Sequence, residues 1–230
     1  MRPVFLLPLL CALLMAAGGA AAQSREGEWL SYRDAYRAMV VFEKYGKAKN
    51  LIQHHLQVAP REKGVSTEGV QLALSGKAVQ VNLALDATGR TVFPLLKAAY
   101  DENAELVLNR NLSQYLLRPR VSIVVRPDGV YEAAELRSAC EQSLNFQRYV
   151  DPAFRARKCV GVRFAFAHKA GASVRLRRAD GETVLPAQDG APFADDVQDR
   201  FRVVVLRFAD GDKGQVVTQN APLAISAVYD

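Results

Sequence analysis

Histidine and cysteine are scarce in this chain of 230 residues, which contains three of each. The histidines are His54, His55 and His168, and two of them are neighbours. Neighbouring residues point to opposite faces of a strand and diverge by about 100° on a helix, whereas a zinc site needs three or four converging ligands. We therefore expect no metal or other cofactor, and we interpret the histidines as structural or solvent-facing residues.

The short motifs of the common catalytic folds are also missing. The chain contains no G-x-S-x-G, H-E-x-x-H, Walker or G-x-G-x-x-G sequence, which counts against common hydrolases, metalloproteases and nucleotide enzymes. Two groups of acidic residues have a structural explanation. The first is better explained as the polar face of a helix than as an acid–base pair. The second is better explained as a solvated turn with helix-capping aspartates than as a calcium loop. The first group is Glu132, Glu135 and Glu141, and the second is Asp195, Asp196 and Asp199. The sequence thus predicts no catalytic residue.

Long apolar runs are absent beyond the N-terminus, so no later segment approaches the ~18 residues that a membrane-spanning helix needs. At the N-terminus, Arg2 precedes an apolar stretch from Val4 to Ala17, and Ala20 and Ala22 supply small residues for a cleavage site. This layout is typical of a secretory signal peptide. We predict a signal peptide over residues 1–22, cleavage after Ala22 and export to the periplasm.

The two cysteines that remain after cleavage, Cys140 and Cys159, have one possible intramolecular pairing. In an oxidising compartment we expect them to form a disulfide, and closing a loop of about 20 residues would stabilise the fold by about 3 kcal/mol. Two buried free thiols are the alternative, and a redox pair is disfavoured because the sequence has no C-x-x-C. The bond would fasten a predicted helix to a predicted strand.

Period-two alternation of apolar residues, punctuated by glycine-containing turns, predicts a mainly β protein with two helices. The helices are expected over residues 29–42 and 131–149, and turns at Asp180-Gly181, Asp189-Gly190 and Asp210-Gly211. Strands are expected over residues 51–58, 70–75, 79–85, 91–95, 105–108, 114–117, 121–125, 159–167, 173–178, 182–185, 201–208, 215–218 and 223–228. Residues 51–58 also fit a helix, but less well than a strand. The expected fold class is α+β, with antiparallel β-sandwich-like units and the second helix fastened to the second unit by the disulfide.

We divide the chain after the signal peptide into three segments. Residues 23–49 form an N-terminal helical segment, residues 50–126 a first antiparallel β unit, and residues 127–230 a helix with a second antiparallel β unit. A single continuous sheet system is the alternative to two separate units.

Two surfaces are candidates for partner binding. Trp29, Tyr32, Tyr36 and Met39 share one face of the first helix, which either packs on a sheet or docks into a partner. A set of arginines either forms a solvated outer face or meets the phosphate or carboxylate groups of an envelope polymer. The set is Arg155, Arg157, Arg163, Arg175 and Arg177. The net charge of +6 is modest and spread over the chain, so nucleic-acid binding is weakly supported.

These observations lead us to expect an exported periplasmic interaction module without catalysis, which binds an envelope protein or an anionic envelope polymer. One alternative is an envelope hydrolase with dispersed catalytic residues, which would need a deep cleft. The other is a carrier of a small hydrophobic ligand, which would need a hollow barrel lined by residues such as Val79, Val81 and Leu83.

Overall fold

The computed structural model describes residues 28–209 and 213–230. Within these residues the chain forms three antiparallel sheets and three α-helices. The helices are α1 (Tyr32–Lys44), α2 (Lys97–Asp101) and α3 (Ala133–Val150), and short 3₁₀ turns cover Leu112–Gln114 and Pro152–Phe154. The mainly β fold is confirmed. The predicted signal peptide and the predicted turn at Asp210-Gly211 lie outside the described residues.

The strands follow one another with few long loops. In chain order they are β1 (Glu28–Ser31), β2 (Ile52–Pro60), β3 (Leu72–Ser75), β4 (Gln80–Leu83), β5 (Arg90–Thr91), β6 (Glu105–Leu108), β7 (Tyr115–Ile123), β8 (Val130–Glu132), β9 (Cys159–Ala167), β10 (Val174–Arg178), β11 (Gly181–Leu185), β12 (Ala187–Gly190), β13 (Phe201–Arg207), β14 (Gln215–Thr218) and β15 (Ala224–Tyr229).

None of the helices formed by residues 28–209 and 213–230 is long and apolar enough to cross a membrane.

The central sheet has seven strands in the order β12-β13-β9-β15-β7-β2-β5. It takes β2, β5 and β7 from residues 50–126 and its other four strands from residues 127–230, and the two groups meet where β7 lies beside β15. The division of the chain into two units stays a prediction. One face of this sheet is apolar and the other carries polar side chains, because successive strand residues alternate between faces.

The apolar face of the central sheet is covered by α3 and by a four-stranded sheet in the order β11-β10-β14-β8. Leu136, Cys140 and Leu144 recur every four residues on α3 and are fully buried, as the sequence predicts. Leu136 and Cys140 share a core with Phe164 and Ile225 of the central sheet. The predicted disulfide between Cys140 and Cys159 is present and joins α3 to the first residue of β9.

A third sheet, in the order β1-β6-β3-β4, forms a second core with α1. Tyr32 and Met39 of α1 pack in that core beside Leu74 and Leu106. The helix begins at Tyr32 and not at residue 29, because Trp29 belongs to β1 and pairs with Val107. The predicted helix therefore includes the last residues of β1 together with most of α1.

Two further predictions are corrected. The strands expected over residues 114–117 and 121–125 are one strand, β7, which continues through Pro119. The two expected strands leave a gap over residues 118–120, and Pro119, which has no N–H for a ladder, lies in that gap. The turn expected at Asp189-Gly190 lies inside β12, where Gly190 pairs with Phe201.

Candidate functional site

The central sheet is divided between β7 and β15. These neighbouring strands share one residue pair, Ile123 with Ile225, and then separate. Continued antiparallel pairing would place Val121 opposite Ala227. Instead, the two strand edges face each other across a cleft with a volume of about 520 Å³.

Two features of the strands lie at the separation. Pro119 lies in the part of β7 that faces the cleft, where a residue without an N–H cannot extend a ladder to β15. On the far side of β15, the pairing with β9 is irregular between Val228 and Tyr229. The extra residue there is Val160 of β9, and such a bulge bends its strand and locally increases the twist of the sheet beside the cleft.

The cleft is built from both strands and from the elements above and below them. Ser143 and Gln147 of α3 close it from the apolar face of the sheet. The remaining lining residues are Arg118, Pro119, Arg120, Val121, Ala153, Phe154, Arg157, Phe193, Ala194, Asp195, Ser226, Ala227, Val228 and Tyr229. The cleft is therefore polar at one end, apolar and aromatic at the other, and flanked by main chain.

Residues 191–196, here called the strap, cross the polar face of the sheet. The Ala191 carbonyl accepts a hydrogen bond from Arg163 Nη1 on β9 (3.1 Å), and the Pro192 carbonyl accepts one from Ser226 Oγ on β15 (3.0 Å). The next residue, Phe193, is buried against the arginines of β5 and β7. Successive strap residues thus contact successive strands, and the strap bridges the separated strands from one side.

The strap ends in two aspartates that bind an arginine pair on β7. Arg120 donates to both oxygens of Asp195, from Nη1 to Oδ1 (2.8 Å) and from Nη2 to Oδ2 (3.1 Å), and also to Asp196 Oδ1 (3.1 Å). Arg118 Nη1 lies 2.8 Å from Asp195 Oδ2, and its Nη2 donates to Asp196 Oδ1. Gln57 Oε1 accepts from the Nε atoms of Arg118 (3.3 Å) and Arg120 (2.8 Å). Two guanidinium groups are therefore neutralised by two carboxylates and aligned by one amide.

The two aspartates differ in their surroundings. The side chain of Asp195 is 56% exposed, and that of Asp196 is 6% exposed. Burial opposes ionisation at Asp195, but the hydrogen bond from Arg120 and the charges of Arg120 and Arg118 outweigh it and lower the pKa of Asp195. At Asp196 burial prevails over the same arginines and raises the pKa. Asp196 is the interior partner, and Asp195 is the partner at the cleft.

A buried arginine supports this arrangement from behind. Arg90 is 4% exposed and pairs with Asp86 at 2.8 Å. It also donates from Nη1 to Ser122 Oγ (2.9 Å) and from Nη2 to the Leu223 carbonyl (2.6 Å). Arg90 therefore ties β5 to β7 and to the start of β15, the point at which the two strands still pair.

The opposite wall of the cleft is aromatic. Tyr229 Oη and Ser143 Oγ are 2.9 Å apart, and burial raises the pKa of Tyr229 to about 12. The Tyr229 ring meets Phe154 edge to face, with 5.7 Å between centroids. Arg157 lies at the rim and donates to the Asp230 carbonyl at 2.9 Å. Among the described residues that line the cleft there is no histidine or cysteine.

The structure separates the five arginines of the predicted anionic-partner face. Arg175 and Arg177 lie on β10 and pair with Glu182 of β11, at 3.2 and 2.6 Å. Arg163 lies on the polar face of the central sheet, and Arg155 and Arg157 follow the 3₁₀ turn after α3. Of the five, only Arg157 lines the cleft.

The predicted docking helix packs against other parts of the same chain. Tyr32 and Met39 are buried against the third sheet, and Tyr36 packs beside them with its ring 4.9 Å from that of Tyr100. The apolar face of α1 is therefore covered by this chain, which leaves little of it for a partner. The side chain of Trp29 lies outside the described part of the structure.

The acidic cluster needs a correction. Asp195 and Asp196 are not a solvated turn with helix caps, because no helix follows them and both carboxylates bind β7. Asp199 is the exposed member and pairs with Lys63 at 3.0 Å. Sequence reasoning misses Arg118 and Arg120 because it breaks β7 at Pro119. The signal that reveals them is the alternation of Arg118, Arg120 and Ser122 with Pro119, Val121 and Ile123.

None of the three histidines lines the cleft, although His55 is the cross-strand partner of Arg120. His54 packs between Phe42 and Phe146, His55 points to the polar face of the sheet, and His168 is exposed, 3.8 Å from Asp189. Within residues 28–209 and 213–230, no three histidine, cysteine, aspartate or glutamate side chains group together as metal ligands would. Comparison of the chain with protein-family models, curated proteins and solved structures found no match.

Proposed function

We propose that this protein is an exported, non-catalytic binding protein of the periplasm, and that its cleft takes up an extended segment of a partner envelope protein. The observation that carries the proposal is the separation of β7 from β15 after the single pair Ile123–Ile225. Two strand edges then face a common space, and strand edges bind extended peptides through main-chain hydrogen bonds.

The shape and chemistry of the cleft support an extended occupant. Both walls include strand residues, so an inserted segment meets main chain on both sides, with a carbonyl but no N–H at Pro119. Phe154 and Tyr229 offer apolar contact at one end, and the guanidinium groups of Arg118 and Arg120 lie at the other. Successive side chains of an extended segment point in opposite directions, so one set would meet the aromatic rings and the other the guanidinium groups. These two sets of contacts would provide specificity.

Two sequence features support export. The layout of residues 1–22 is that of a signal peptide, and the bond between Cys140 and Cys159 is typical of an oxidising compartment. We also propose that the central sheet and the β11-β10-β14-β8 sheet form the two layers of a sandwich. In support, Val174, Leu176 and Val216 of the smaller sheet share one core with the central sheet.

The alternatives have less support. A hydrolase would need a nucleophile and a base in the cleft, and the described residues that line it include no histidine or cysteine. A carrier of hydrophobic ligands would need a hollow barrel, but Leu83 packs in a filled core and Val81 is exposed. Binding of an anionic polymer would need arginines on one surface, and Arg175 and Arg177 are instead paired with Glu182 on a different sheet.

The test is to block the cleft. A display library of random peptides is panned against the mature protein, and the selected peptides are then measured against two variants. Ala153→Trp fills the rim of the cleft, and Ala156→Trp places the same ring on a nearby exposed alanine that does not line it. We expect binding to fall at least about tenfold for Ala153→Trp and to be unchanged for Ala156→Trp, since tenfold is about 1.4 kcal/mol.

A second arm tests the binding mode. Selected peptides are resynthesised with N-methyl groups at alternate positions, which remove main-chain donors on one edge at a time. Methylation on either edge should weaken binding if both strands pair with the peptide. Equal binding to the Ala153→Trp variant, or a library that yields no selected sequence, would count against the proposal.

A further inference from the structure

We infer that the Arg118–Arg120 pair is a carboxylate-binding site of the cleft, where an acidic side chain of the bound segment takes the place of Asp195. This inference names the ligand chemistry of the proposed function and rests on it. The observation behind it is that Asp195, at the end of the strap, already places a carboxylate on both guanidinium groups inside the cleft.

Asp195 has the geometry of a bound ligand. Its two oxygens accept from Arg120 in the paired arrangement that suits a planar carboxylate, at 2.8 and 3.1 Å, and Oδ2 also lies 2.8 Å from Arg118 Nη1. It belongs to a loop and not to a strand, and more than half of its side chain is exposed. A residue in that position can leave without exposing the core.

The arginines are held by other groups when Asp195 leaves. Gln57 accepts from both Nε atoms, Asp196 stays between the two guanidinium groups, and Phe193 lies under Arg120 with its ring centroid 4.4 Å from Cζ. The donors that Asp195 vacates would therefore keep their direction. A site fixed in advance loses little conformational entropy when a ligand binds.

Charge balance favours a carboxylate as the occupant. Without Asp195, two guanidinium groups share the single buried carboxylate of Asp196, which leaves one uncompensated positive charge in a half-buried place. Uncompensated charge in such a place is costly, and a carboxylate of the ligand restores the balance. Binding is then an exchange of one carboxylate for another, so Asp195 competes with the ligand and weakens binding in the free protein.

The closing experiment removes the internal competitor and supplies a small replacement. Asp195→Ala is heated in about 100 mM sodium acetate and in sodium chloride of equal ionic strength, beside wild type and Asp199→Ala. Asp199 is a matched control because it is an exposed aspartate three residues beyond the strap that pairs with Lys63 instead. We expect acetate to raise the Tm of Asp195→Ala by about 3 °C and to leave the other two proteins unchanged.

Three results would overturn the inference. They are an absence of any acetate effect on Asp195→Ala, an equal effect on Asp199→Ala, and stabilisation by phosphate but not by acetate. If Asp195→Ala does not fold, Asp195→Asn, which keeps the side-chain volume, is used in its place. Acetate is small enough to reach the arginines whether or not a peptide enters the cleft, so this arm does not depend on peptide binding.

A peptide arm separates failure of this inference from failure of the proposed function. Selected peptides that contain glutamate are compared with their glutamine counterparts. Asp195→Ala should bind the glutamate form about tenfold more tightly than wild type does, with no gain for the glutamine form. Peptide binding without this difference would overturn the carboxylate site alone, whereas acetate rescue without any peptide binding would overturn segment binding alone.

Discussion

The guanidinium of Arg120 lies over the ring of Phe193, with 4.4 Å from Cζ to the ring centroid. This contact joins the strap to β7 at the cleft and continues into a small core with Phe201 and Val203. The ring is 2% exposed. A stacked guanidinium in a desolvated place contributes more than one at the surface, so the strap depends on this ring.

Shortening that ring should loosen the strap. We expect Phe193→Leu to lower the free energy of unfolding by about 2 kcal/mol, because it removes the stacking contact and leaves space in a filled core. Hydrogen exchange of residues 191–196 should accelerate. Phe208→Leu is the control, because Phe208 also stacks with an arginine, Arg137 at 4.6 Å, but is only partly buried. Equal losses in the two variants would show that burial of Phe193 has no special effect.

The buried aspartate of the strap should be needed for folding stability. In Asp196→Asn the two guanidinium groups keep one full carboxylate, that of the exposed Asp195, so we expect a loss of roughly 3 kcal/mol in urea unfolding. Asp199→Asn should leave the free energy of unfolding nearly unchanged, because its pair with Lys63 is exposed. If the two substitutions have the same effect, the arginine pair does not depend on Asp196.

Much of the fold follows from local patterns, and the cleft does not. The strand over Cys159–Ala167, the buried stripe of α3 and the disulfide all rest on short-range periodicity or on a single possible pairing. The cleft depends instead on which strands become neighbours, since Pro119 and Ala227 lie more than 100 residues apart. The hydrophobic periodicity of a single segment does not show which strand will become its neighbour.

The charged site illustrates the same limit. Asp195 and Asp196 are neighbours in the sequence, and arginines occur throughout the chain. Which arginines bind these aspartates depends on burial, which the sequence does not show. Arg175 and Arg177 alternate cleanly with Val174 and Leu176 and therefore attract attention, yet they lie on an outer face beside Glu182. Arginines that are buried by a loop crossing a sheet can be recognised only when the partner loop is placed.

The disulfide should contribute to stability and to the aromatic wall of the cleft. Cys159 is paired with Tyr229 across β9 and β15, and the next residue before it, Lys158, donates its N–H to Asp230 Oδ1 at 2.7 Å. We expect the double variant Cys140→Ala, Cys159→Ala to lose about 3 kcal/mol, since the bond closes a span of 19 residues. Hydrogen exchange should accelerate most over residues 226–230.

The control for this prediction is chemical reduction of the wild-type protein. Reduced wild type and the double variant should have similar Tm values, and addition of reductant should leave the double variant unchanged. Intact mass of the oxidised protein should be two hydrogens below that of the reduced chain. A native protein in which both thiols react with an alkylating reagent would contradict the presence of the bond.

Acid should destabilise the protein through His54. This side chain lies between the rings of Phe42 and Phe146, at 4.9 and 5.9 Å between centroids, and its buried Nε2 has no hydrogen-bond partner among the described residues. Burial, with help from the nearby charges of His55 and Lys49, lowers the pKa of His54 to about 4. The folded protein therefore holds this ring neutral at a pH at which the unfolded chain protonates it.

The sign follows from proton linkage. Above pH 6.5 neither state binds a proton at His54, and the contribution of the neutral ring is complete. As the pH falls from 6.5 to about 4, only the unfolded chain takes up the proton, so the free energy of unfolding should decrease by up to about 3 kcal/mol. Below the folded-state pKa both states are protonated, and this loss should level off.

The measurement is urea unfolding at intervals between pH 7 and pH 4 for wild type, His54→Phe and His168→Gln. His54→Phe keeps an aromatic ring between its neighbours and should flatten much of the pH dependence, although burial also lowers the pKa of His55 and leaves a residual slope. His168 is exposed, so His168→Gln should follow wild type. A His54→Phe protein that loses stability with acid as steeply as wild type would show that another group governs the acid response.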